Sequence, residues 1–382
     1  MLPSATLTAR LGGGDVALKA EILQRTGSFK VRGAANRVHA LGEQCARGVV
    51  AASAGNHAMA LAHAARALGA PCEVFMPEGA PLNKVEGAAA LGAKVTIGGE
   101  SVDECLTVAQ AYADEHGMAV VHPFDDADVV AGQGTLGLEL LDDVPDLAKV
   151  VVPVGGGGLA SGVAIAVKSR RPDVEVVGVQ VASFATLSEA LRTGVPVEVA
   201  HALTIADGIA VKRPGGLTLE LLREWLDDVV VVSEEETAEA IVLLMERAKL
   251  VVEGAGAVGV AALLGGHTPA AASGTTVAVL SGGNIDAGLL HQVARRHETQ
   301  AGRRVVVLTR VSDRPGSLAR LLTVVGDSGA NLIDLQHVRE GVELHVRETA
   351  VQLVLETRGR DHAAEVLDAI GAAGYPVRTL TT

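Results

Sequence analysis

Between residues 48 and 179, short runs of Val, Ala and Ile alternate with alanine-rich stretches of helical apolar spacing. The runs at 48–52, 73–76, 94–97, 150–153 and 174–179 predict strands, and the stretches 57–68, 82–91, 102–115 and 159–169 predict helices. The strand runs are continuously apolar, which is what a sheet covered on both faces requires. Strand–helix alternation on this scale predicts layered, mostly parallel α/β architecture. Near residue 300 the rhythm changes. Residues 297–303 (HETQAGR) are polar and weakly patterned and read as a linker. Beyond them the order is strand 305–311, helix 317–327, strands 331–338 and 346–356, helix 362–370 and strand 375–380. That βαββαβ order predicts a small ferredoxin-like domain.

Composition narrows the function. The chain has 382 residues, enough for two to three domains, and 48% are hydrophobic. A net charge of -13 and an aromatic content of 2% argue against nucleic acid or an anionic membrane as partner. The three cysteines (Cys45, Cys72, Cys105) form no CxxC and read as buried thiols of a reducing compartment. The first fifteen residues lack a basic stretch followed by an apolar run, so no signal peptide is expected and the protein is placed in the cytoplasm. The uncharged stretches 150–167 and 254–285 are broken by glycine clusters and read as buried strand, turn and helix rather than membrane spans. Glycine is abundant, at 45 residues, and lysine is scarce: eight, against 24 arginines.

Three glycine clusters stand out. Residues 151–159 (VVPVGGGGL) run from a strand through Gly155, Gly156, Gly157 and Gly158 into a helix. Successive residues without Cβ let backbone N–H groups converge, and the helix end adds partial positive charge, so a phosphate is the natural guest. No Gly-Lys-Ser/Thr follows, which excludes the nucleotide P-loop. Residues 254–259 (GAGAVG) fit GxGxxG, but no acidic residue falls about twenty positions on, so close helix packing is the better reading. Residues 281–284 (SGGN) follow an apolar run and read as a strand end, opening on a site or closing a tight turn.

Among the lysines, Lys30 has the most marked context. In 24–34 (QRTGSFKVRGA) it enters a helix at its first turn, where the positive helix end disfavours an ammonium. A neutral amine is what Schiff-base chemistry needs. The other seven lysines read as solvated charges. Residues 53–57 (SAGNH) again join a strand to a helix, and their N–H groups suit a carboxylate. His57 and His63 stand six apart without HExxH, so no metal site is expected there.

Taken in order, TGSFKVRGA, SAGNHA, AGQGT (131–135), PVGGGGL, IADG (205–208) and SGGN resemble the fold type II pyridoxal-phosphate enzymes, specifically the threonine ammonia-lyases (threonine dehydratases). Residues 311–318 (VSDRPGSL) resemble an ACT domain, a small ligand-sensing module. The resemblance implies a two-lobed, tryptophan synthase β-like catalytic domain over 1–296 and a regulatory ACT domain over 304–382. It implies pyridoxal 5'-phosphate as cofactor. Lys30 would be its covalent anchor and take the substrate's Cα proton, and 155–158 would be its phosphate cradle. Asn56 would bond its phenolic oxygen, and Ser281 would face its pyridine nitrogen. Ser53 and the backbone of Gly55, Asn56 and His57 would hold the substrate carboxylate. The activity implied is β-elimination from L-threonine, and also L-serine, to a 2-oxo acid and ammonia, with the cofactor phosphate or a nearby water protonating the departing hydroxyl. A branched-chain amino acid, isoleucine or valine, would regulate it through the ACT turn 313–316, in a homo-oligomer (dimer or tetramer).

The chain departs from related patterns in places. Ala54 stands where racemases of the superfamily carry a second serine, which favours elimination over racemisation. Gln180 stands in place of an acidic metal ligand and can offer only a neutral carbonyl, which argues against a divalent cation there and leaves the question open. The chain begins at Met1-Leu2-Pro3-Ser4, where the family has an N-terminal arm that helps subunit packing. The competing readings are a dehydratase of another β-hydroxy amino acid (3-hydroxyaspartate, phenylserine), a non-catalytic amino-acid sensor, and a nicotinamide dehydrogenase built on GxGxxG.

Overall fold

The computed structural model describes residues 1–200 and 202–380. Thr381 and Thr382, the end of the expected second domain, lie outside the described residues. The chain divides into two units at Asp286/Ala287.

In the first unit the strands are β1 (Leu2–Pro3), β2 (Asp15–Ala20), β3 (Val49–Ala52), β4 (Cys72–Met76), β5 (Lys94–Ile97), β6 (Ala119–Val120), β7 (Leu147–Pro153), β8 (Glu175–Val181), β9 (Asp228–Val232) and β10 (Thr275–Leu280). They form two sheets, one ordered β1-β2-β10-β7-β8-β9 and the other β5-β4-β3-β6. Every pairing is parallel except β1 against β2. Parallel strands need crossovers that cover both faces. Accordingly β3, β4 and β10 are buried along their whole length.

Each sheet has its own core. Helix Lys30–Leu41 packs Val31, Ala34 and Val38 with the small sheet, although the strand before it, β2, belongs to the large one. The chain crosses between lobes at Lys30. It returns through helix Ala127–Asp143, which gives Val129 to the small-lobe core and Leu136 and Leu140 to the large-lobe core.

The second unit begins with helix Ala287–Gln300, so most of the stretch read as a linker is helical. Its apolar position Val293 is buried, and a window confined to the polar end of the helix misses that stripe. Strands β11 (Arg304–Ser312), β12 (Asn331–Val338), β13 (Glu348–Glu356) and β14 (Arg378–Thr379) form an antiparallel sheet ordered β12-β13-β11-β14. With helices Ser317–Asp327 and Arg360–Ala372 this is the expected βαββαβ unit, closed around Val307, Leu321, Val351, Leu353 and Val366. The last strand is shorter than the apolar pattern suggests, because only Arg378 and Thr379 pair with β11.

The three cysteines are free and buried. The stretches 150–167 and 254–285 are strand, turn and helix, and no helix of the described residues is long and apolar enough to cross a membrane.

Candidate active site

The loops at the C-terminal ends of β2, β3, β6, β7 and β10 supply the site, as expected for parallel sheets. Lys30 and Ser281 come together because their strands are neighbours in the large sheet. The two loops after β2 and β10 then zip: Gly283 N–H donates to Gly27 O at 2.9 Å and Phe29 N–H to Ser281 O at 3.0 Å, around a Ser28–Gly282 bridge. Gly27, at φ +73°, makes the turn that starts this pairing.

Lys30 is the first residue of its helix, and its Nζ donates to Pro123 O at 2.7 Å. Burial holds the amine down at about 8, and the negative charge of Glu253 opposes the shift. Desolvation thus does what the sequence reading assigned to the helix end. Two residues on, Arg32 is clasped by Glu21, itself 2% exposed, at 2.7 and 2.8 Å, and by Glu139 at 2.7 Å. Glu139 also takes Lys19 Nζ at 2.6 Å, and Arg32 holds its carboxyl down at about 2. This cluster ties β2, the Lys30 helix and helix 127–143 together behind the amine. It also corrects the reading of the remaining lysines as solvated, since Lys19 and Lys149 are buried and ion-paired.

The glycine loop lies at the end of β7, where helix Gly158–Lys168 begins behind Gly157, at φ +100°. Among the described residues no acceptor takes the N–H of Gly155, Gly156, Gly157 or Gly158. The loop's shape is dictated by its back. A Cβ on Gly155 would come to 3.0 Å of Ile209 Cα, on Gly157 to 2.9 Å of Thr218 Cβ, on Gly158 to 2.9 Å of Phe124 O, and on Gly156 it would overlap the Phe124 ring. Thr218 Oγ1 donates to Gly156 O at 2.6 Å, and Asp125 accepts the N–H groups of Gly216 and Thr218, each at 3.1 Å. Carbonyls are held from behind and N–H groups stay unpaired, which fits a phosphate.

In the small lobe, Ser53 Oγ accepts from Gly55 N–H at 3.2 Å. That N–H is therefore already used, contrary to the expectation that it faces substrate. The N–H groups of Asn56 and His57, at the start of helix Asn56–Ala67, have no acceptor among the described residues. The His57 ring is buried, bonded to Val121 O at 2.9 Å and pushed down to about 3 by burial, so only its backbone is available to a ligand.

Asn56 is fixed from both sides. Its Oδ1 accepts from Asn284 Nδ2 at 2.6 Å, and its Nδ2 donates to Glu253 Oε1 at 2.8 Å. Glu253 escapes the sequence reading. It is 4% exposed, occupies the N-cap position of helix Gly254–Leu264 without a side-chain capping bond, and burial raises its carboxyl to about 7. The one available signal is an acid immediately before an uncharged GAGAVG run. That run is a wholly buried helix whose Gly254 packs against Ile205 O, as its packing reading requires. Pro123, Phe124, Asp125 and Thr218 carry no local signal at all.

The site tests the fit of a pyridine cofactor on its own atoms. Besides the four free N–H groups, the hydroxyls of Thr26 and Ser28 are buried without a partner, and Ser281, itself buried, stands beside them at the end of β10. Gln180, at the position considered for a cation, instead accepts Leu187 N–H at 2.8 Å.

The chain matches the pyridoxal-phosphate dependent enzymes over residues 1–282 and the ACT domain over 305–372. It belongs to the family of pyridoxal-phosphate dependent enzymes, with an ACT domain following the catalytic unit. Within that class its curated relatives include the L-threonine ammonia-lyase of Thermotoga maritima, 46% identical over 379 residues (99% of this chain, 94% of the relative). That of Geobacter sulfurreducens is also 46% identical, over 96% of this chain and 92% of the relative. Among solved structures, threonine deaminase isoform 2 from Solanum lycopersicum superposes with a TM-score of 0.73 at 35% identity, covering 76% of this chain and 85% of that one. Maize serine racemase does so with 0.73 at 34%, covering 78% and 92%.

In the cofactor-free protein Glu253 and Lys30 set opposite pH slopes. Between its ordinary value of 4.5 and about 7, Glu253 binds more protons folded than unfolded, so stability falls as pH rises. Between about 8 and the ordinary 10.5, Lys30 binds fewer protons folded than unfolded, so stability climbs again. Urea midpoints across pH should therefore show Glu253→Gln removing the lower slope and Lys30→Met the upper one, each relative to wild type.

Proposed function

We propose that this chain deaminates L-threonine, and L-serine as a second substrate, to a 2-oxo acid and ammonia with pyridoxal phosphate. The observation that carries the reading is the convergence of a buried, pKa-lowered Lys30, a glycine loop with free N–H groups, and Ser281 in a chain whose full-length relatives are named L-threonine ammonia-lyase. When bound, the cofactor supplies an aldehyde carbon for the amine and a conjugated ring that accepts electrons from Cα.

The protein's own residues do the rest. Gly155 to Gly158 offer N–H groups to the phosphate, and Ser281 offers a hydroxyl to the ring nitrogen without a fixed negative charge, which keeps the ring a moderate electron sink. Asn56, held by Glu253 and Asn284, would offer its amide to the cofactor's phenolic oxygen. Ser53 and the N–H groups of Asn56 and His57 receive the substrate carboxylate. Lys30 Nζ is the atom that takes the Cα proton. Its value of about 8 leaves a usable neutral fraction near neutral pH, where an unshifted lysine has almost none.

The ACT unit supports control by a small ligand, with isoleucine or valine at the turn 313–316 as the expected effector and a homo-oligomer as the working assembly. The deciding experiment is 2-oxo acid release from L-threonine, L-serine, 3-hydroxyaspartate and phenylserine, with and without isoleucine. Threonine and serine should be turned over fastest, and isoleucine should shift the threonine saturation curve. Exclusive turnover of another β-hydroxy amino acid would overturn the substrate assignment.

A further inference from the structure

Lys84 stands in helix Leu82–Ala90 of the small lobe, and its side chain is only 12% exposed. Its Nζ lies 2.7 Å from Oδ2 of Asp207, a large-lobe residue whose side chain is half exposed. The ammonium also borders the 53–57 loop: a Cβ built on Gly55 would lie 4.0 Å from Lys84 Nζ. Because Gly55 has no Cβ, nothing of its own side chain stands between the amine and the loop. Beside it are the free N–H groups of Asn56 and His57, at the start of a twelve-residue helix. The turn that carries Asp207 also packs beside Glu253, since a Cβ built on Gly208 would come to 3.1 Å of Glu253 Oε1, the atom that holds Asn56 Nδ2.

We infer that Lys84 is a further ligand of the substrate carboxylate, exchanging its resting partner Asp207 for the α-carboxylate when an amino acid enters. The exchange is physically easy. An ion pair with one half-exposed member contributes little net stability, because water screens it and competes for it. A carboxylate at the helix end meets two N–H donors, the helix dipole and an ammonium in a less hydrated setting, where charge-assisted bonds are stronger. Asp207 then acts as an internal competitor that keeps Lys84 oriented and tempers affinity. This inference rests on reading residues 53–57 as the carboxylate site.

The test uses the holoenzyme and two probes that cannot eliminate: L-2-aminobutyrate, which keeps the carboxylate, and 1-aminopropane, which lacks it. Both are titrated calorimetrically against wild type, Lys84→Met, Lys84→Arg and Asp207→Asn. Lys84→Met should weaken L-2-aminobutyrate roughly ten- to hundredfold, the range of a lost charged hydrogen bond. Lys84→Arg should stay within a few-fold of wild type. Asp207→Asn should tighten L-2-aminobutyrate several-fold, because the competitor is gone. 1-Aminopropane should not distinguish the variants. A Lys84–Asp207 pair that merely clasps the lobes predicts the opposite pattern, with Lys84→Met and Asp207→Asn shifting both probes in the same direction. That result, or no change in any variant, overturns the inference. If Lys84→Met fails to fold, the sign of the Asp207→Asn shift still decides. The readout is binding, so it stands apart from the substrate assignment: absent turnover of threonine with the expected probe split refutes the deaminase reading and leaves Lys84 in place.

Discussion

Lys30→Ala lowers 2-oxo acid release from L-threonine by at least about 10³-fold, and borohydride no longer fixes cofactor to the protein. Positioned acid–base groups are worth roughly 10²–10⁴-fold, and this change removes the covalent anchor as well. The loss is chemical rather than structural. Lys30 begins its helix, and its one hydrogen bond runs to Pro123 O, while the segment is held by Arg32 with Glu21 and Glu139. Far-ultraviolet circular dichroism should therefore stay close to wild type. In the cofactor-free form the variant should gain stability below pH 8, where wild type buries an ammonium. Lys30→Ala with wild-type-like turnover would remove the basis of the proposed chemistry.

Gly156→Ala is the second large effect. The added methyl overlaps the Phe124 ring. Overpacking of this kind costs about 1–3 kcal/mol. The consequence spreads because Phe124 follows Pro123, whose carbonyl holds Lys30 Nζ at 2.7 Å. One methyl should disturb the proposed phosphate cradle and the proposed catalytic amine together. Reconstitution titrations followed by visible absorbance should show cofactor affinity reduced at least about tenfold, in the range of one or two lost charged hydrogen bonds. Adding Phe124→Ala should restore part of that affinity, since the two changes share one volume. Gly79→Ala is the matched control, because nothing lies within 4 Å of a Cβ there. Equal affinities for Gly156→Ala and Gly79→Ala would mean that the loop does not hold the phosphate.

What was legible in the sequence follows from how local each feature is. The strand–GGGG–helix run announces itself because no other composition leaves four consecutive N–H groups unobstructed. Lys30 stands out for the same kind of reason, as a lysine at a helix start flanked by small residues. Glu253 was illegible because an acid before a helix reads as an ordinary cap; only tertiary burial raises its carboxyl to about 7 and turns it toward Asn56, 197 positions away in sequence. Lys84 was illegible for the converse reason. It reads as a surface lysine on an exposed helix start, and only the approach of Asp207 and the 53–57 loop gives it company. The stretch 297–303 misled because its polar end hides a helix whose buried stripe lies earlier in the chain.

The layered α/β core and the βαββαβ second unit were set by sequence alone, because they depend on periodicity, and the strand–GGGG–helix run and Lys30 were marked there as candidates by their local composition. The tertiary structure alone decided why Lys30 is poised, which N–H groups stay free, and which carboxylates and amines face them. Lys30 loses its proton readily through burial rather than through its helix end, and Gly55 N–H is taken by Ser53 while those of Asn56 and His57 are not. Desolvation and hydrogen-bond competition depend on atoms brought together from distant parts of the chain, so no local window of sequence contains them.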